Sequence, residues 1–148
     1  MKAFTITSAF VALAAAALLY SCKKEESTEP TGCGISMTGL SGSYKLTALQ
    51  YKASATAAPV DYLATMEACE KDDILTLKSD GTYDYNDGGT VCSPTTAGHG
   101  TWQVKGNTLT SDGTLNGTLA SYDCKTMVYY VENSLVEGDK LTFTMVKQ

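Results

Sequence analysis

From Leu40 to the C-terminus the sequence falls into short runs of alternating apolar and polar residues, separated by Gly, Asp, Asn and Ser. A period of two sends successive side chains to opposite faces of a strand. Lys140–Lys147 shows this most cleanly, with Leu141, Phe143 and Met145 on one face and Thr142 and Thr144 on the other. Ser43–Gln50 groups Tyr44, Leu46 and Ala48. Asp73–Lys78 and Thr82–Asn86 flank Ser79-Asp80-Gly81, a hairpin turn, and Gly100–Lys105 alternates through Trp102 and Val104. Further runs lie at Thr108–Thr110, Thr114–Tyr122 and Thr126–Glu132, giving about eight strands. Pro59–Cys69 reads as one short helix, with Leu63 and Met66 toward the barrel mouth. Such a meander removes its exposed edges by closing. The expected fold is therefore all-β, an antiparallel up-and-down barrel with one short helix. An open sandwich of two sheets is the alternative.

The N-terminus has a different pattern. Met1-Lys2 is a short positive start, and Ala9–Leu19 (AFVALAAAALL) is an unbroken apolar run. The run has the length of a signal-peptide core and is short for a membrane-spanning helix. Leu19-Tyr20-Ser21-Cys22 then sets a Leu three residues before Cys22 and a small residue directly before it. This resembles the lipobox of bacterial lipoproteins, which implies removal of residues 1–21 and lipid on Cys22. Each buried CH₂ of such a lipid contributes about 0.8 kcal/mol, so two or more acyl chains anchor a protein stably. Residues 22–39 are rich in charge, Ser, Thr, Gly and Pro, the composition of a flexible tether, and the domain proper is expected over 40–148. Lys23-Lys24-Glu25-Glu26 has no Asp directly after Cys22 and is similar to the surface-export signal of lipoproteins in one gut-dominant group of Gram-negative bacteria. Together these resemblances imply a cell-envelope protein, lipid-anchored to the outer membrane, with cell-surface exposure a further expectation.

Five cysteines leave four once Cys22 is assigned to lipid, an even number suited to an oxidising compartment. A Ser79-Asp80-Gly81 loop with Gly81 left-handed pairs Lys78 with Thr82, Leu77 with Tyr83 and Leu75 with Tyr85. Continued outward, this register sets Cys69 opposite Val91, and a bulge at Gly88-Gly89 carries it to Cys92. The second bond, Cys33–Cys124, follows by elimination.

Three groups of residues resemble lipocalin-like domains. Leu40–Leu46 (LSGSYKL) looks like their opening strand, with Tyr44 where a Trp is usual. Ile74–Tyr83 (ILTLKSDGTY) looks like their second and third strands. Gly100-Thr101-Trp102, followed by Gly106-Asn107-Thr108-Leu109, looks like the next pair. The resemblance implies a barrel that carries a ligand rather than turning one over. The candidate ligand-binding residues are the inward set Tyr44, Leu46, Leu75, Leu77, Tyr83, Tyr85, Trp102, Val104, Phe143 and Met145. They suit a small apolar or aromatic molecule, while Tyr is equally at home filling a small barrel.

Other chemistry finds little support. His99 is the only histidine, no Gly-x-Ser-x-Gly elbow is present, and no cysteine and histidine spacing matches zinc ligation. Asp84–Gly88 glances at a calcium loop but lacks its spacing, and a hairpin turn accounts for it better. Neither catalytic residues nor cofactors nor a metal are expected. The formal charge is −5 and the chain contains no Arg, which disfavours nucleic acid. Two functions remain open: a membrane-anchored carrier of a small apolar ligand, or a non-enzymatic structural or protein-interaction lipoprotein with a packed core.

Overall fold

In the computed structural model, which describes residues 33–148, the chain forms a closed eight-strand antiparallel barrel. The strands are β1 (Gly42–Lys52), β3 (Ile74–Leu77), β4 (Thr82–Asn86), β5 (Gly98–Lys105), β6 (Thr108–Ser111), β7 (Leu115–Tyr122), β8 (Thr126–Glu132) and β9 (Lys140–Lys147). Each pairs with the next, and β1 pairs with β9 to close the ring. A two-residue strand, β2 (Val60–Asp61), adds to the upper part of β1. Cys22 and the signal segment lie outside the described residues.

The register follows the alternation. Leu77 faces Tyr83 and Leu75 faces Tyr85, as the hairpin geometry requires, and Gly81 at φ 89° makes the turn a side chain would strain. Along β1 the alternation changes face. Thr47 is an extra residue between Leu46 and Ala48, so the inward set becomes Tyr44, Leu46, Leu49 and Tyr51, and Ala48 leaves the face that simple alternation assigns it.

Pro59–Cys69 is not a helix. Val60–Asp61 pairs with Gln50–Tyr51 instead, and only Leu63–Thr65 makes a single 3-10 turn, with Asp61 Oδ1 accepting from the Ala64 N–H. A ten-residue helix needs a buried face to persist. Here only Leu63, Met66 and the disulfide-bonded Cys69 are even half-buried among exposed neighbours.

The helix lies earlier, at α1 (Met37–Leu40), within residues of linker composition. Ser36 caps it, its hydroxyl accepting from the Gly39 N–H at 3.0 Å. This turn plugs one end of the barrel. Leu40 is fully buried, the Tyr44 hydroxyl donates to the Leu40 carbonyl at 2.7 Å, and the Tyr122 hydroxyl donates to the Gly39 carbonyl at 2.7 Å. The Cys33–Cys124 disulfide pins the plug to the β7–β8 turn.

The other disulfide joins Cys69 to Cys92. The β3–β4 ladder stops at Ile74 and Asn86, however, so the bond is made between loops and not by a continued hairpin. Asp72 breaks the pairing: its Oδ2 accepts from the Thr90 N–H, and Gly88 and Gly89 pack against it.

Candidate functional site

Because neighbouring strands run antiparallel, their connections alternate between the two ends of the barrel. The plug, the turns 78–81, 106–107 and 123–125 and the C-terminus share the closed end. The segments 53–73, 87–97, 112–114 and 133–139 share the open end.

The inward residues divide along the same axis. Tyr44, Leu77, Trp102 and Met145 are buried with Leu40, Leu109, Leu119 and Met127 in one cluster. Leu46, Leu75, Tyr83 and Val104 pack against it. Trp102 donates from its indole N–H to the Lys78 carbonyl at 2.9 Å, which fastens the β3–β4 turn. Nearer the open end, Tyr129 and Phe143 stack with ring centroids 4.7 Å apart. Tyr85 faces Asp73 there, and burial, together with that carboxylate, pushes the Tyr85 hydroxyl up to about 12.

Only four of the ten candidate ligand residues surround internal space. Leu75, Leu77, Tyr83 and Trp102, with Leu109, Ser111, Leu115, Gly117, Tyr129 and Val131, line a cavity of about 60 Å³. Tyr44, Leu46, Tyr85, Val104, Phe143 and Met145 do not line it. Leu109, Leu115 and Val131 were not singled out by sequence, although the alternation of their strands marks each as inward. Gly117 carries no apolar signal at all. Larger hollows lie outside the barrel. One of about 390 Å³ sits between Lys52–Ala55 and Glu132–Lys140, and another of about 300 Å³ between Thr114–Asn116 and Val131–Ser134.

Three of the tyrosine hydroxyls are engaged away from the cavity. Tyr44 and Tyr122 donate to plug carbonyls, and Tyr83 donates to Asp112 at 2.8 Å, its ring and the Asp112 carboxylate packed so close to Gly100 that a Cβ there would clash. His99 is exposed on the outer face, paired in register with Asp84. Asp84–Asn86 belong to β4 and not to a turn. Among the described residues no group of three or more acidic, cysteine or histidine side chains is placed to hold a metal.

The carboxylates that matter most to this frame hold its loops. Burial pushes the Asp139 carboxyl up, but the N–H groups of Ser134, Leu135 and Val136 at 2.7–2.9 Å, with Tyr51, outweigh it and hold the acid below its ordinary range. The Thr101 N–H and Tyr83 hydroxyl do the same for Asp112, Thr95 and Thr96 for Asp87, Thr82 for Asp80, and the Thr126 and Lys125 N–H groups for Asp123. A carboxylate whose folded pKa is depressed adds stability that is complete above its unfolded value, about 3.9, and lost as pH falls through the folded one. The thermal midpoint is therefore expected to stay level from neutral pH to about pH 5 and to drop below about pH 4. Asp139→Asn should reduce that drop, and an acid profile of the same depth in the variant would contradict the assignment.

A closed eight-strand antiparallel barrel, plugged at one end and lined largely by apolar and aromatic side chains, places the protein in the class of small up-and-down β-barrels. The lipocalin-like domain family matches residues 40–146, and the chain belongs to it. Members of this family are usually non-catalytic binding proteins. No curated protein matches the sequence. Two disulfides accord with an exported protein.

Proposed function

We propose that the protein is an exported lipoprotein, anchored in the outer membrane through lipid on Cys22, whose barrel is filled and which acts by contact through its open end, without chemistry. The carrying observation is the size of the interior cavity, about 60 Å³. Small-molecule pockets span roughly 300–1,000 Å³, and even a benzene-sized cavity measures about 150 Å³. The small apolar ligand expected from sequence would have to displace Leu115, Tyr129 or Val131 to enter.

The anchor suits this reading. Cys33 is fastened at the closed end, and the stretch from Cys22 to Cys33 reaches roughly 20 Å if flexible. The tether then joins the domain on the plug side, opposite the open-end loops.

One preparation tests both parts. Protein from cells fed labelled palmitate is expected to carry label, Cys22→Ala to carry none, and an organic-solvent extract of the folded protein to contain no small molecule at one per chain. Equal labelling of Cys22→Ala would remove the anchor. A stoichiometric apolar extract would restore the carrier function.

A further inference from the structure

We infer that the open end of the barrel docks a basic polypeptide segment carrying an aliphatic anchor residue. This deepens the contact function proposed above and rests on it.

Exposed apolar side chains are unremarkable when scattered, and informative when gathered. Of the seven large apolar residues exposed in this domain, Val60, Tyr62, Val91, Leu115, Leu135 and Val136 all lie at the open end; Ile35 alone lies beside the plug. They sit on four separate chain segments, so no single loop's composition explains them. A groove of about 300 Å³ runs between Thr114–Asn116 and Val131–Ser134. Leu115 and Val131 wall both this groove and the interior cavity, and they are the apolar contacts the groove offers among the polar Thr114, Asn116, Glu132, Asn133 and Ser134.

Charge selects the rest of the partner. The segment 53–73 contains Asp61, Glu67, Glu70, Asp72 and Asp73 against Lys71. The other open-end segments add Asp87, Asp112, Glu137 and Asp139 and no cation. The turns at the closed end are balanced, Lys78 and Lys125 against Asp80 and Asp123. The acidity is thus confined to the end that bears the apolar residues.

Basic groups with an apolar anchor meet both features, the gathered apolar residues and the acidity around them; an anionic or purely apolar partner meets at most one.

The test uses the whole mature chain, residues 22–148, with Cys22→Ala so that neither lipid nor detergent enters. The probes are short peptides of alternating Lys and Leu, of Lys and Ser, and of Glu and Leu, titrated by calorimetry. Only the Lys–Leu peptide is expected to bind, and more weakly as salt rises and screens the charges. Leu115→Ser is expected to weaken it about tenfold, the effect of losing one anchoring contact. Glu67→Lys with Glu137→Lys should weaken it by a similar factor, and Lys105→Glu at the closed end should leave it unchanged. Leu115 is 58% exposed, so its replacement leaves the fold intact, which circular dichroism checks. Equal binding of the Lys–Ser peptide would reduce the site to bulk charge, and equal binding of the Glu–Leu peptide to bulk apolarity. Either result overturns the inference, as does absence of binding, an unaffected Leu115→Ser, or self-association of the chain that occupies the same face. None of these outcomes depends on the anchor or on the extract, so failure here is distinguishable from failure of the proposed function.

Discussion

Replacing Cys33 and Cys124 together by Ser is expected to lower the stability of the domain by about 4–5 kcal/mol, and replacing Cys69 and Cys92 by about 3 kcal/mol. The order comes from the loops the bonds close: Cys33 and Cys124 are 91 residues apart in sequence, Cys69 and Cys92 only 23. A cross-link restricts the unfolded chain more when the loop it closes is longer. In the native state the two bonds also do different things. Cys69–Cys92 joins two loops at the open end, whereas Cys33–Cys124 holds the plug beneath the core, beside the bond from Tyr122 to Gly39. Equilibrium urea unfolding of the two double variants measures the difference. A smaller loss for the Cys33–Cys124 pair than for Cys69–Cys92 would contradict the ordering.

Much of the barrel is legible in the sequence because a two-residue period is a strong signal when one face is buried. Thr82–Asn86, Thr126–Glu132 and Lys140–Lys147 stand in the structure with the boundaries their alternation gives them. The Ser79-Asp80-Gly81 turn fixes its own register, because Gly81 must take a positive φ. What the pattern hides has physical reasons. The extra residue Thr47 changes face without changing composition, so Ala48 looks as inward as Leu49 is. Met37–Leu40 is one turn, too short to show a helical period, and its own Thr38 and Gly39 look like linker. Pro59–Cys69 has the opposite fault, apolar spacing suited to a helix but no surface on which to bury it. The candidate site was legible only as a list of inward residues. Whether such a list encloses a pocket depends on how side-chain volumes sum across eight strands, and here Trp102, Met127, Tyr44 and Leu40 nearly fill the space.

Leu40→Ala tests whether the plug belongs to the core. Leu40 is completely buried and packs in the same cluster as Tyr44, Trp102 and Met127. Truncating such a leucine removes its transfer energy and leaves a cavity, about 2–5 kcal/mol in all, whereas a residue of a solvated tether costs less than about 0.5 kcal/mol. The chain around Leu40 has little freedom to collapse into the space. Its carbonyl is held by the Tyr44 hydroxyl, and Gly39 lies against the backbone of Gly34 too closely for a Cβ. The loss is therefore expected in the upper half of that range, read from the urea midpoint at unchanged slope. Combining Leu40→Ala with the Cys33–Cys124 replacement then shows what holds the plug. If the disulfide keeps the turn docked, its removal lets residues 33–40 leave, and Leu40→Ala adds about 1–3 kcal/mol less than it does alone. If packing and the two tyrosine bonds suffice, the effects add within about 0.5 kcal/mol. A loss below about 1 kcal/mol for Leu40→Ala in the intact protein would return these residues to the tether and leave the barrel open at both ends.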